Sequence, residues 1–554
     1  MGMHGLMRRP WPLTLLLSAC SPSASDATPV DAGVLEVSVD APADARWLAD
    51  RTAGSGLEAI VRPLSAWSTF AARMQGGVCA LDVNGDGRTD LLFPGVRDAG
   101  GTKLLVADAP FHFVDRSEAL PASVKDLAAL GCLAFDPDGD GDLDVLLTGV
   151  GALRLLENDA GKLVDVTTRV RTALDPASPL MAAVAFDADG DGDLDLAIAS
   201  YGKYVEPPKP CAGGCVMAPS SYKGGRALLF LQGPDGAFDE ASDRFVAPVT
   251  APALVLLGTD LDEDGRVDLF VGNDTSAALD RYFRRGEDGT FEEKAEALGV
   301  AYTPKPTGLS SMSATDPDFD GDGHLDLIES TWEQEPSAVF LCNGTLGPNA
   351  CTDASERLEL FRGMQNLRWG QAAIDLDHDG VLELVEASGH VFLASDPMLP
   401  IAPTPPSAPL QVWTHARANE PLRQLPSLER TTGGRGLLSL DLDDDGDLDL
   451  IVSTANGSPM LYENVRTKRG NAVSVRLRGK GKNRFAVGAR ITVKTAALTR
   501  VALTHAGHGY LSSDASPVHF GIGDATTASI DVRWPSGKTS HVDAKPGLFT
   551  LDEP

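Results

Sequence analysis

No apolar run in this chain approaches the ~20 residues a membrane-spanning helix needs. Aromatic residues are few, 6% of 554, beside 43% apolar residues overall, which is the balance of a soluble globular chain with ample core. Positive charge is in deficit, with 47 Lys and Arg against 78 Asp and Glu and a net charge of -31, and that argues against nucleic acid as a partner. There is no HExxH, no nucleophile elbow and no phosphate-binding Gly loop. No catalytic residue is therefore assigned.

What is abundant is acid in one repeated pattern. DVNGDGRTD starts at Asp82, DPDGDGDLD at Asp136, DADGDGDLD at Asp187, DLDEDGRVD at Asp260, DFDGDGHLD at Asp318, DLDHDGVLE at Asp375 and DLDDDGDLD at Asp441. Such a loop could be a solvated acidic turn, but like charges this dense repel unless a cation sits among them. Numbering each first residue as one, oxygen donors stand at one, three and five, Gly at six and a carboxylate at nine. This is the front of a calcium loop, in which the carbonyl of residue seven also ligates and position nine closes the site directly or through water. Donors made only of oxygen favour Ca2+ over zinc or copper.

The expected ligands are Asp82, Asn84, Asp86, Arg88 (carbonyl) and Asp90; Asp136, Asp138, Asp140, Asp142 and Asp144; Asp187, Asp189, Asp191, Asp193 and Asp195. They continue with Asp260, Asp262, Asp264, Arg266 and Asp268; Asp318, Asp320, Asp322, His324 and Asp326; Asp375, Asp377, Asp379, Val381 and Glu383; and Asp441, Asp443, Asp445, Asp447 and Asp449. Up to seven Ca2+ ions follow, one per loop. An EF-hand is excluded, because position twelve is Phe93, Leu147, Ile198, Val271, Glu329, Glu386 or Val452 and the flanks are β-branched strands.

The first Asp residues are separated by 54, 51, 73, 58, 57 and 66 residues, the length of a four-stranded propeller blade with generous loops. Around the first loop GGVCAL, DLLFPG, KLLVAD and FHFVD read as four strands. The expected fold is all-β: a seven-bladed propeller over residues 51–465, then a small β-domain over 466–554. That last segment holds 14 Lys and Arg against 6 Asp and Glu, and AVSVRLR, ARITVK and SIDVRW alternate with period two. Its basic surface suits either docking on the acidic propeller or capture of an anionic glycan.

Acidic loops inside blade-sized repeats resemble the FG-GAP/VCBS repeats of integrin alpha-subunit propellers. LFVGNDT, WGQAAIDLDHDGVLELVEASGHV and GRGLLSLDLDDDGDLDLIVSTANG are similar to the cartilage acidic protein family. NRFAVGARITV, GHGYLSSDASPVHFGIG and VRWPSGK look like its C-terminal ASPIC/UnbV domain. Glu383 departs from the pattern, which has Asp at position nine. The resemblance implies an extracytoplasmic, calcium-binding, interaction-type protein and no known reaction.

The N-terminus reads as a secretory signal: two arginines, a short apolar run, then LSAC. It resembles a bacterial lipobox with Cys20 as the lipidated residue, the alternative being an ordinary signal peptide (residues 1–20). Ser21 suits export to the outer membrane, and residues 21–50 read as a flexible tether. Membrane association is then through the lipid alone. Cys211 with Cys215, and Cys342 with Cys351, suit local disulfides in an oxidising compartment. Cys79 and Cys132 precede equivalent loops and are either buried thiols or a bridge between blades. His505 and His508 could be a transition-metal pair but read better as turn residues, and His390 as packing. The chain is thus expected to be a binding or adhesion module for a protein or anionic glycan, the alternative being a secreted lyase or hydrolase with a site in the propeller funnel.

Overall fold

The computed structural model describes residues 47–554 except 68, 206–218, 247–249, 302–307, 364–365, 392–406, 416, 427, 429 and 467–468. Cys20, the N-terminal signal, most of the expected tether and the Cys211–Cys215 pair lie outside the described residues. No described helix is long and apolar enough to cross a membrane.

Seven sheets follow one another between Cys79 and Asn464, antiparallel except for a parallel outer strand on the third and on the fourth, and we number them as blades in chain order. Blade one joins Cys79–Leu81, Asp90–Phe93, Lys103–Ala109 and His112–Asp115, the four segments expected from the sequence. Blades two to seven start at Ala129–Phe135, Leu180–Phe186, Ala253–Thr259, Ser311–Thr315, Arg368–Ile374 and Gly434–Leu440. These first strands converge. Three of them, Ala129–Phe135, Leu180–Phe186 and Ala253–Thr259, are buried at every residue, as expected of strands covered on both faces. Blade seven closes against blade one, where Val78, Ala80 and Leu91 share a core with Leu438, Leu440 and Ile451.

The tether ends earlier than the sequence reading places it. Leu48–Asp50 pair antiparallel with Met460–Asn464 and supply the outer strand of blade seven. The reason is the exposed edge: Met460–Asn464 would otherwise leave a row of backbone groups unpaired. The two open cysteines are a disulfide, Cys79–Cys132, linking the first strands of blades one and two, and Cys342–Cys351 bridges within blade five.

Residues 471–552 fold as two small sheets. One orders Val518–Gly523, Asn471–Arg478 and Gly547–Asp552; the other orders Thr499–Leu503, Arg490–Lys494, Ala528–Arg533 and Thr539–Ala544. Val473, Val475 and Leu477 alternate into a core shared with Ile491, Ile530 and Trp534. Full burial of each such side chain contributes roughly 1.5–3 kcal/mol.

Candidate metal loops and the docked C-terminal domain

Every acidic loop joins the first strand of its blade to the second, and its own side chains shape it. The position-one carboxylate folds back over the turn. Asp82 accepts from the amides of Asp86 (3.1 Å) and Gly87 (2.7 Å), Asp136 from Gly139 (2.8 Å) and Gly141 (3.1 Å), and Asp375 from Asp379 (3.1 Å) and Gly380 (2.7 Å). In all seven loops the position-five carboxylate accepts the amide of position seven: Arg88, Asp142, Asp193, Arg266, His324, Val381 and Asp447. Position six takes positive φ, 101° at Gly141 and 89° at Gly380, where a Cβ would be strained.

This folding gathers the carboxylates. In Asp136/Asp138/Asp140 and Asp260/Asp262/Asp264 the oxygens of positions one, three and five lie within 4.8 Å of one another. In Asp187/Asp189/Asp195, Asp318/Asp320/Asp326 and Asp375/Asp377/Glu383 position nine completes the group. The donors fit a hard divalent ion, and a further observation supports the fit. Asp144 Oδ2, Asp189 Oδ1, Asp260 Oδ1, Asp318 Oδ1 and Asp441 Oδ1 are buried without a hydrogen-bond partner. Buried acceptors are rarely left in that state. Burial, and then the neighbouring carboxylates, push Asp136 up to about 7, Asp326 up to about 8 and Glu383 up to about 9. A divalent ion among them would restore ordinary ionisation.

Position nine does more than close a metal site. Asp90 accepts the amides of Val83 (3.0 Å) and Ala107 (2.8 Å), Asp195 those of Ala188 (2.8 Å) and Gln232 (2.7 Å), and Asp449 those of Leu442 (3.1 Å) and Asn464 (2.9 Å). One carboxylate thus ties the loop to the third strand of its blade. Glu383 keeps the loop bond, to Leu376 (3.0 Å), and its longer chain reaches the Thr414 hydroxyl (2.9 Å). Asp268 accepts from the Arg285 amide (2.7 Å) and the Tyr282 hydroxyl (2.5 Å). Glu329 and Glu386, the two possible position-twelve ligands, turn away: Glu329 to Ser311 (2.6 Å) and Glu386 to Trp413 Nε1 (2.9 Å).

Position seven is not indifferent to its side chain. Asp447 is buried beside His378 (3.4 Å) and ion-paired with Arg469, while Asp193 takes Lys482 (2.5 Å). Blade four's loop already holds cations of the chain itself, Arg284 on Asp262 and Asp264 (2.5 Å each) and Arg533 on Asp260 (2.7 Å).

Several of those cations come from the C-terminal domain, which sits on the loop face. Arg484 donates to the Gly139 carbonyl (2.9 Å), Arg490 to Glu263 (2.7 Å) and Arg500 to the Gly380 carbonyl (2.8 Å). The Val501 amide donates to Asp318 (3.1 Å). Opposite charge at these distances, partly shielded from water, accounts for an acidic propeller followed by a basic domain.

From this domain a loop, residues 504–514, enters where the first strands converge. Ala506 accepts from the Ala185 amide (2.9 Å), Leu511 from Cys132 (3.2 Å), and Ser513 exchanges bonds with Val78 and Ala80 (3.1 and 3.0 Å). Tyr510 donates to the Met74 carbonyl (2.7 Å) and meets the Trp369 ring at 4.8 Å. Arg435 lies over the other part of that aromatic group, 4.1 Å from the Trp369 ring. A funnel site for a lyase or hydrolase finds this axis filled by Tyr510 and Leu511, both buried. His505 and His508 do not meet on one ion: His505 pairs with Asp316 and His508 with Asp514, each at 2.9 Å. His390 is buried against Trp332, as packing requires. The roles of Arg435, Trp369 and Tyr510 escaped the sequence reading; the only signal was the GHGYLSSD segment, whose partners lie far away in the chain.

Residues 479–549 match the family described as ASPIC and UnbV, and residues 136–198 and 260–329 match the FG-GAP-like repeat. Cartilage acidic protein 1 of Homo sapiens is 27% identical over 330 residues, which cover 58% of this chain and 46% of that protein. The Xenopus tropicalis protein is 28% identical over 283 residues, covering 49% and 40%. The chain spans less than half the length of these relatives. Among solved structures, an Agrocybe aegerita lectin that recognises non-reducing terminal N-acetylglucosamine aligns at TM-score 0.41 and 14% identity over 69% of this chain and 86% of its own. An exotype rhamnogalacturonan lyase aligns at TM-score 0.39 and 10% identity, over 71% and 72%. Repeats and a domain of this kind make an extracellular, binding-type module, and two disulfides suit that oxidising setting. The chain joins FG-GAP-like repeats to a C-terminal ASPIC/UnbV domain and is similar to cartilage acidic protein 1.

Proposed function

We propose that the acidic loops hold Ca2+ and that the protein acts as a calcium-stabilised adhesion or binding module outside the cytoplasm. The observation that carries this reading is the set of buried loop oxygens left without hydrogen-bond partners beside converging carboxylates. Positions one, three and five would supply ligands in each loop, and position nine would add one where it reaches the group. The ion would neutralise the loops and brace each blade. Calorimetry with and without EGTA tests it: chelation should lower the melting temperature by many degrees, with poor rescue by Mg2+, which gives up its waters reluctantly. Equal melting in both buffers would reduce the loops to acidic turns.

The ligand we propose is a protein or an anionic glycan. Arg484, Arg490, Arg500 and Arg533 are engaged with the propeller, and the exposed Arg476, Arg478, Lys480 and Lys545 remain as basic groups for it. A glycan array probed with and without calcium, at low and high salt, would show acidic glycans bound and released by salt. We further propose attachment to the outer membrane through Cys20. Cys20→Ala should leave the membrane fraction, because stable anchoring needs the acyl chains; a variant that still sediments with membranes would refute the anchor.

A further inference from the structure

Between blades five to seven and the C-terminal domain lies a cavity of 520 Å3. Close-packed interiors leave few voids larger than a water molecule, whereas small-molecule sites run from about 300 to 1,000 Å3. Its walls are mostly apolar: Ile374, Leu382 and Leu448 from the propeller, Phe485 and Val518 from the domain. His508 and Asp514, 2.9 Å apart and both partly exposed, also line it.

Asp316, Asp318, Asp375 and Asp514 line the cavity too, held by His505, the Val501 amide, the Gly380 amide and His508, and Arg484 and Arg500 are held by carbonyls of the propeller; the charge left unpaired in the lining comes from one strand. In Asn471–Arg478 the side chains of Val473, Val475 and Leu477 enter the domain core, so Ser474, Arg476 and Arg478 face the other way. That other way is towards the propeller. His519 lies opposite Ser474 across the sheet and packs on His378 of blade six, ring to ring at 4.8 Å. Arg476 and Arg478 are exposed, line the cavity, and pair with no carboxylate among the described residues. The domain's other arginines named above are all spent on propeller groups, which makes two free guanidinium groups at one cavity distinctive.

We propose that this chamber binds a small organic anion, its apolar body against Ile374, Leu382, Leu448 and Phe485 and its acidic head held by Arg476 and Arg478. An apolar enclosure with a few placed polar groups is the usual build of a small-molecule site, and guanidinium forks suit carboxylate, sulfonate and phosphate heads alike. None of the groups invoked is a proposed calcium ligand.

Two dyes that differ in the head test this on the full chain in calcium buffer. 1-Anilinonaphthalene-8-sulfonate carries the anionic head and N-phenyl-1-naphthylamine lacks it. The sulfonate should bind saturably, one per chain. The double variant Arg476→Gln/Arg478→Gln, which alters only exposed side chains, should weaken it by about tenfold or more and leave the neutral dye unchanged. Ala515→Trp, which fills the cavity from its lining, should abolish binding of both dyes while the calorimetric transition persists. Displacement by octanoate or by glucuronate then separates a fatty anion from an acidic sugar. Absence of saturable sulfonate binding, or binding indifferent to the arginine pair, overturns the proposal, and so does binding that survives in a folded Ala515→Trp variant.

Discussion

Loss of the position-five carboxylate should matter only with calcium present and loss of the position-nine carboxylate should matter with or without it, and Asp140 and Asp90 are the pair with which to see it. Asp140 is exposed, and among the described residues its carboxylate is tied only to the Asp142 amide, at 2.9 Å. Replacing it with Ala in EGTA should therefore cost no more than about 0.5 kcal/mol, the range of most surface substitutions. With free calcium at ~100 times the dissociation constant, a bound ion contributes about 2.7 kcal/mol, and that is the most the variant can lose at this site. Asp90 is fully buried and accepts two backbone amides, Val83 and Ala107. Its removal strands both donors, at about 1–3 kcal/mol each, so Asp90→Ala should lose roughly 2–6 kcal/mol whether calcium is present or not. Asp90→Asn, which keeps one acceptor oxygen, should lose about half of that. Urea unfolding of the three variants, each with calcium and with EGTA, gives the comparison. The reasoning fails if Asp140→Ala costs as much in EGTA as in calcium, or if Asp90→Ala is harmless in EGTA.

The axial loop carries two further tests. Leu511 is 3% exposed, packed among the first strands, so Leu511→Ala should cost about 2–5 kcal/mol and lower the melting temperature in both buffers; an unchanged melting curve would mean the loop does not occupy the axis in solution. His505 should make stability depend on pH. Burial lowers its proton affinity, but Asp316, the Gly258 carbonyl and Asp514 raise it more, and its pKa stands above the ordinary 6.5. A raised imidazole stabilises fully below the unfolded value and loses that contribution as pH climbs through the folded one. Wild-type unfolding midpoints in calcium should thus fall between pH 6 and pH 9, and His505→Gln should flatten the fall; equal slopes in the two proteins would refute it.

The blades were legible because each repeat states its own geometry locally. The carboxylate at position nine begins the second strand in Asp90–Phe93, Asp144–Gly149 and Asp449–Thr454, so motif and strand are in fixed phase. The closing strand was not legible. Leu48–Asp50 is three residues with no alternation, and it is a strand only because Met460–Asn464, more than 400 positions away, offers a free edge. Propensity within such a short segment cannot compete with that pairing. The same distance hid the axis: Tyr510 and Trp369 each read as an unremarkable aromatic, and only the closed ring of blades brings them to 4.8 Å.

At the loops the sequence marked the candidate ligands but not how their oxygens are divided. Position one shows the division. Asp260 gives Oδ2 to Arg533 at 2.7 Å and keeps Oδ1 buried and unpartnered. Asp318 gives Oδ2 to the Val501 amide, while its Oδ1 accepts no hydrogen bond and lies 3.7 Å from Arg500 Nη1, and Asp441 gives Oδ2 to the Gly446 amide and leaves Oδ1 without a hydrogen bond. A carboxylate has two oxygens and about four lone pairs, so serving the protein with one oxygen does not forbid serving an ion with the other. The basic domain and a calcium ion could therefore contact the same carboxylate through different oxygens, each neutralising part of the repulsion among the loop carboxylates. Arg533 stands 273 positions from Asp260 in the chain, which is why the acidic loops and the basic tail read as separate features in the sequence and as two halves of one charge balance in the fold.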